Sequence, residues 1–224
     1  LFRSNPSCSP DGKRIAWFSD ESGEYQLHIA DPMGGMEQKI SLKNPTFFYT
    51  PVWSPDSRYL SFGDADRNLW VVEVATEHIM LVDNEGFAHP ERTIYPAWSP
   101  DSKWIAYTKR LKNEFNAVFV WSLDQNKRFQ FTDGMSDSKA PAWDKNGKYL
   151  YFISSTDYAL NVGWLDLSSY GRPITRSIYV AVLSKDEPSP LQPLSDEEEK
   201  PMAAKKDTAV VVKIDFDGLD QRIL

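Results

Sequence analysis

Pro51-Val52-Trp53-Ser54-Pro55-Asp56-Ser57 decides the fold, because it returns at a fixed spacing. Pro96-Ala97-Trp98-Ser99-Pro100-Asp101-Ser102 follows it and Pro6-Ser7-Cys8-Ser9-Pro10-Asp11-Gly12 precedes it. Pro141-Ala142-Trp143-Asp144-Lys145-Asn146-Gly147 is a worn fourth copy. The leading prolines stand at 6, 51, 96 and 141, a period of 45 residues repeated three times. Self-similarity at such a period marks a stacked supersecondary unit.

Ser-Pro-Asp-Gly is a turn: proline presets φ near −65° at its second position, and Asp and Gly suit the positions after it. A run rich in Ile, Trp, Tyr and Phe follows each turn, at 14–18, 59–62, 104–108 and 149–153, and this is strand composition. A second run comes next at 26–30, 68–74 and 117–123, then a shorter third at 38–42, 78–82 and 128–132. With the short strand around each Trp, a unit holds four strands. No stretch keeps a 3.6-residue apolar period, so little helix is expected. Four antiparallel strands per 45 residues is the blade of a β-propeller, an all-β fold whose blades bury their faces against one another. Trp53, Trp98 and Trp143 read as inter-blade core, and Cys8 takes the same slot in the first unit.

The expected blades are 1–45, 46–90, 91–135 and 136–224, forming one propeller domain. The opening Leu-Phe-Arg-Ser-Asn has neither an initiator Met nor a signal-peptide pattern, so the chain reads as a piece of something longer. The fourth unit is long. After a strand at 149–155, the matching next strand is expected only at 210–216, with an apolar insertion strand at 178–183 between them. An acidic, proline-rich insertion over 184–207 has too little apolar content for a core and reads as a solvated loop.

The 224 residues carry 25 basic and 32 acidic side chains, a net charge of −7, without a basic stripe. That balance argues against non-specific binding to nucleic acid or to anionic membranes. No apolar run approaches the roughly 20 residues of a membrane span. A single Cys excludes an internal disulfide and a multi-Cys metal site, which fits the cytoplasm and leaves the periplasm as the alternative.

The Pro-x-Trp-Ser-Pro-Asp repeat resembles that of TolB, of dipeptidyl-peptidase-like propellers and of tricorn-type proteases. The fourth unit narrows the resemblance. Leu183-Ser184-Lys185-Asp186-Glu187-Pro188-Ser189-Pro190, Ser195-Asp196-Glu197-Glu198-Glu199 and Lys213-Ile214-Asp215-Phe216-Asp217-Gly218-Leu219-Asp220-Gln221-Arg222-Ile223 look like a stretch of bacterial tricorn-like serine peptidases. The resemblance implies a propeller region ahead of a PDZ-like module and a serine-protease core, with six- or seven-bladed rings of which the four blades here are a part. It further implies an oligomer that degrades oligopeptides, with propellers that channel or filter them. The family's catalytic residues lie in a downstream domain and match no position here. A TolB-like interaction propeller without enzymatic activity, and the propeller cap of a prolyl-oligopeptidase-type hydrolase, are the alternatives.

The residues supply no catalytic set of their own. No Gly-x-Ser-x-Gly elbow, His-Glu-x-x-His pair or phosphate-binding glycine loop occurs, so neither catalysis nor a cofactor is expected. His28, His78 and His89 are not spaced for a triad. Asp64-Ala65-Asp66-Arg67-Asn68 starts like a calcium loop but has Leu69 and Ala75 where Gly and Glu are needed, so the Asp side chains are read as capping their own turn. The remaining candidates are residues in the segments between blades: Phe47, Phe48 and Tyr49, then Phe87 and His89, then Met135. They are expected either to line the channel and touch passing peptide or to pack between blades.

Overall fold

The computed structural model describes residues 6–86, 94–158, 174–193 and 209–224. The first sheet is β1 (Ser7–Cys8), β2 (Ile15–Ser19), β3 (Gln26–Ala30) and β4 (Gln38–Ile40). The second is β5 (Val52–Trp53), β6 (Tyr59–Gly63), β7 (Asn68–Glu73) and β8 (His78–Asn84). The third is β9 (Ala97–Trp98), β10 (Trp104–Arg110), β11 (Asn116–Ser122) and β12 (Lys127–Gln130). The fourth is β13 (Asp137–Trp143), β14 (Tyr149–Ser155) and β15 (Ser177–Val182). All pairs are antiparallel and each sheet keeps chain order, so the protein is an arc of β-propeller blades. The helical content of the described residues is one 3-10 turn, Asp220–Arg222, and no helix there is long and apolar enough to cross a membrane.

The repeated motif works by mutual satisfaction. In the second sheet the Ser54 hydroxyl donates to the Asp56 carboxylate at 2.6 Å and accepts from the Tyr59 amide at 2.9 Å. The same Asp56 carboxylate accepts the Arg58 amide at 3.0 Å. Ser9 with Asp11, and Ser99 with Asp101, repeat this arrangement. Ser57 and Ser102 take left-handed φ angles of 62° and 60°, the place where the first and fourth copies carry Gly12 and Gly147. Each hydroxyl is placed to receive the Asp amide of the preceding turn: Asp11 N donates to Ser57 at 3.2 Å and Asp56 N to Ser102 at 3.0 Å.

The sheets are tied a second time by tryptophan. Trp53 donates its indole N–H to the Ser7 carbonyl at 2.9 Å, and Trp143 to the Ala97 carbonyl at 2.8 Å. Trp98 reaches the Val52 carbonyl at 3.3 Å and the Ser61 hydroxyl at 2.9 Å. Three apolar layers fill the joints, carried by Phe18, Leu27, Leu60 and Phe62, then by Leu69, Val71, Ile105 and Trp121, then by Val118, Val120, Leu150 and Leu183. Burying each such side chain stabilises by about 1.5–3 kcal/mol, so stability is spread over the joints rather than held in one centre.

Two expectations are corrected. Cys8 is exposed rather than inter-blade core. Its slot is covered elsewhere because a Trp lies over the preceding sheet, and among the described residues no sheet lies on that side of β1. In the fourth unit the next strand after β14 is β15, not 210–216: Leu150 pairs with Ala181 and Phe152 with Tyr179. The delayed element is the outer edge, where Ile223 bridges Ala181 and Leu224 exchanges both backbone hydrogen bonds with Val180. The strand-like alternation at 210–216 serves the joint instead, with Val212, Ile214 and Phe216 packed into the third layer. The Val212 amide donates to the Asp101 carboxylate at 2.8 Å, beside the position where Gly147 offers no hydroxyl. The described part of the insertion, 184–193, is mostly exposed, with the Tyr149 hydroxyl donating to the Pro188 carbonyl at 3.3 Å; the rest of 184–207 lies outside the described residues.

Three substitutions test these joints. Trp98→Phe keeps the ring and removes the N–H, and is expected to cost about 1–2 kcal/mol in urea unfolding, since the buried Ser61 hydroxyl also loses a partner. A Cβ at Gly147, where φ is +70°, would sit 2.8 Å from Val212 and 2.9 Å from Val210, whereas Gly12 has the same φ with open space around it. Gly147→Ala is therefore expected to cost about 2–4 kcal/mol and Gly12→Ala about 1 kcal/mol. Equal losses would show that 209–216 does not press on this turn.

Candidate functional site

Antiparallel order puts the Ser-Pro-Asp turns at one end of every sheet. The loops after the second strands, and the crossings from one sheet to the next, lie at the other end. The candidate residues belong to this loop end. Residues 47–49 are extended, so alternate side chains diverge. Phe48 turns inward and is 2% exposed, stacked on Phe18 at 5.2 Å and edge-on to Phe62 at 5.7 Å. Phe47 and Tyr49 turn the other way. Phe47 meets Tyr25 at 5.3 Å and Tyr49 at 5.1 Å, both edge to face, and Phe47 and Tyr49 are each half-buried. Met135 stands 78% exposed on the crossing into the fourth sheet. Phe87 and His89 lie outside the described residues. Phe47, Tyr49 and Met135 thus offer apolar surface at the loop end, while Phe48 belongs to a joint.

Behind this rim lie polar clusters that no motif announced. Asp83, 1% exposed, accepts from Lys109 Nζ at 2.7 Å, Arg128 Nη1 at 2.8 Å and the Tyr107 hydroxyl at 2.9 Å. Burial above all, and then the Asp83 carboxylate, push the Tyr107 phenol far above its ordinary range, so it remains a donor. Asp137, fully buried, accepts from the backbone and side-chain amides of Asn116 at 3.0 and 2.7 Å and pairs with Arg176 at 2.7 Å. Ser136, Ser138 and Ser154 form a closed triangle of hydroxyls with sides of 2.9–3.3 Å. Each cluster joins residues that lie far apart along the chain, which is why sequence inspection passes over them. Breaking a buried pair costs more than an exposed one contributes, so the Asp83 and Asp137 clusters tie neighbouring sheets together.

The other candidates for chemistry are occupied structurally. His28 is 4% exposed, stacked on Trp17 at 5.5 Å and joined to Glu37 at 2.7 Å. The Asp64 carboxylate accepts from the Asn68 amide, the Asn68 side chain and the Trp70 indole, at 2.8, 2.8 and 2.7 Å, so it holds its own turn. Among the described residues no group of three or more His, Cys, Asp or Glu is placed to hold a metal ion. The geometry is that of a braced surface that can bind, with apolar groups at its rim.

The arrangement has counterparts among known proteins. The tricorn protease itself superposes with a TM-score of 0.68 over 95% of this chain, at 19% identity, and the match covers 20% of that chain. TolB from Acinetobacter baumannii gives 0.52 over 81% of this chain at 14% identity, covering 41% of TolB. In sequence, dipeptidyl-peptidase 5 of Porphyromonas gingivalis is 38% identical over 85 residues, 33% of this chain and 12% of that protein. The chain therefore spans a fifth or less of the two peptidases it matches. At these identities the structural likenesses speak for the propeller fold alone. The family assignment comes from residues 5–224, nearly the whole chain, which match the tricorn protease second beta propeller domain. With its repeated joints and its delayed fourth edge, the chain belongs to that family.

Proposed function

We propose that this chain is a non-catalytic propeller segment of a serine peptidase that degrades oligopeptides, acting as scaffold and as the part that admits or filters substrate. The observation that carries this reading is the match of 5–224 to the propeller domain of a protease. The local similarity to a dipeptidyl-peptidase points the same way. Geometry supports it in two ways. Each joint is braced by an indole hydrogen bond, and the first two by a turn serine as well, which suits a scaffold. The loop end presents Phe47, Tyr49 and Met135, groups that bind peptide side chains without sequence-specific hydrogen bonds. The partners in this reading are peptides or unfolded polypeptide, further domains of the same polypeptide, and other copies of the parent protein.

Replacing Phe47 and Tyr49 together by Ser in the full-length polypeptide tests the filtering role. The expected result is a fall of about fivefold or more in kcat/KM for oligopeptides of about ten residues, with turnover of a short fluorogenic substrate unchanged, since a lost contact of hot-spot size exceeds 1 kcal/mol. A loss of thermal stability with unchanged oligopeptide turnover per folded molecule would remove the filtering role. The purified 224-residue chain is expected to hydrolyse neither substrate, and hydrolysis above a contaminant control would show that it carries its own active site.

A further inference from the structure

The three joints are closed differently at their outer edges. Between the second and third sheets the Asp83 cluster bridges the gap. Between the third and fourth, Phe216 fills it, stacked on Phe129 at 4.4 Å beside Trp104 at 6.2 Å. Between the first and second, among the described residues, Gln38 bridges only the turn end, and beside it a cleft of about 630 Å³ opens between the loop after β4 and the start of β8. That is within the roughly 300–1,000 Å³ of small-ligand sites.

Phe62, Trp70 and Ile79 give the cleft an apolar wall, with the buried Phe48 as its floor. The Trp70 indole N–H is engaged by Asp64, so the ring offers the cleft its apolar surface. Glu77 is held by the Gln38 side chain at 3.0 Å, and Gln38 also donates to the Val74 carbonyl at 3.0 Å, closing the turn end. Lys43, on the opposite wall, is exposed and has no hydrogen bond or ion pair among the described residues. The side chain of His78 is likewise without one there. An apolar wall facing the unpaired Lys43 ammonium complements an apolar body that ends in a carboxylate. The third joint shows that this kind of gap accepts an aromatic side chain from an extended segment.

We propose that this cleft binds the C-terminal end of a peptide whose last residue is aromatic or large and aliphatic, with the side chain against Phe62, Trp70 and Ile79 and the carboxylate at Lys43. The inference rests on the peptide-handling reading above and gives it a second contact that selects for chain ends. A 3-phenylpropionate ion shares the same chemistry without the peptide backbone, so it serves as the discriminating probe.

The test is a titration of the 224-residue chain with N-acetyl-Ala-Phe, its C-terminal amide and 3-phenylpropionate, followed by the indole N–H resonance of Trp70. The acid is expected to shift that resonance with a Kd on the order of 0.1–1 mM. The amide, 3-phenylpropionate and the Lys43→Met variant are each expected to bind at least about fivefold more weakly. Ser41→Trp, on the exposed lip of the cleft, should abolish the shift. Equal binding of the amide, or an unaffected Lys43→Met, overturns carboxylate recognition. Equal binding of 3-phenylpropionate overturns the peptide as occupant. No shift up to about 10 mM, or shifts confined to Tyr25, Phe47 and Tyr49, overturns the cleft as a site. The oligopeptide turnover of the Phe47/Tyr49 variant judges the broader reading separately.

Discussion

An indole N–H that reaches back 46 residues to a backbone carbonyl is what the rest of this architecture leans on. The strands that carry these tryptophans in the second and third sheets, β5 and β9, are only two residues long, too short to be stable as edges of isolated sheets. The hydrogen bond gives each of them a partner outside its own sheet, and the bulk of the ring seals the apolar layer behind it. Burial of Phe62, Tyr107 and Phe152 at successive joints then follows from sheets already held at a fixed spacing. The serine-to-Asp bonds between turns act as a second fastening near the same end. The first and fourth copies carry glycine in that position, so the fourth recruits Val212 in its place.

The architecture was legible in the sequence because it is periodic. The spacing of Pro51 and Pro96 locates the turns, Trp53 and Trp98 locate the joints, and the alternation around Leu60 and Phe62 locates the strands. Legibility ends where the period does. In the fourth unit, Val210, Val212 and Ile214 alternate as convincingly as any strand. Yet Val212 and Ile214 pack into a joint while β15, read as an insertion, pairs with β14. Alternation reports that one side is buried but not what buries it. Cys8 fails for the complementary reason: a slot is core only when something covers it.

The candidate site was legible in part. Its aromatic residues were visible as Phe47-Phe48-Tyr49, but the division of labour among them needed the backbone direction. The clusters around Asp83 and Asp137 had no signature, since Asp83, Lys109 and Arg128 come from three strands of two sheets. The cleft had none either, because it is defined by a gap between the loop after β4 and the start of β8 that no spacing along the chain encodes. Periodic sequence specifies what repeats, and here the candidate functions sit where the copies differ.

The delayed edge of the fourth sheet has a consequence for how the molecule assembles. Every strand pair in the first three sheets joins neighbours along the chain, so their contacts are local and inexpensive in loop entropy. The fourth sheet waits for residues 223 and 224 to return to β15 across some forty residues, and each doubling of such a loop adds about 0.6 kcal/mol to its closure. Because Phe216 and Ile223 also fill the third joint, that joint is completed by the latest-synthesised part of the segment. On a ribosome the first two joints can set in order as they emerge, while the third keeps Trp104 and Phe129 uncovered until 216–223 have emerged, a stage at which this stretch of nascent chain is open to chaperones and to misassembly.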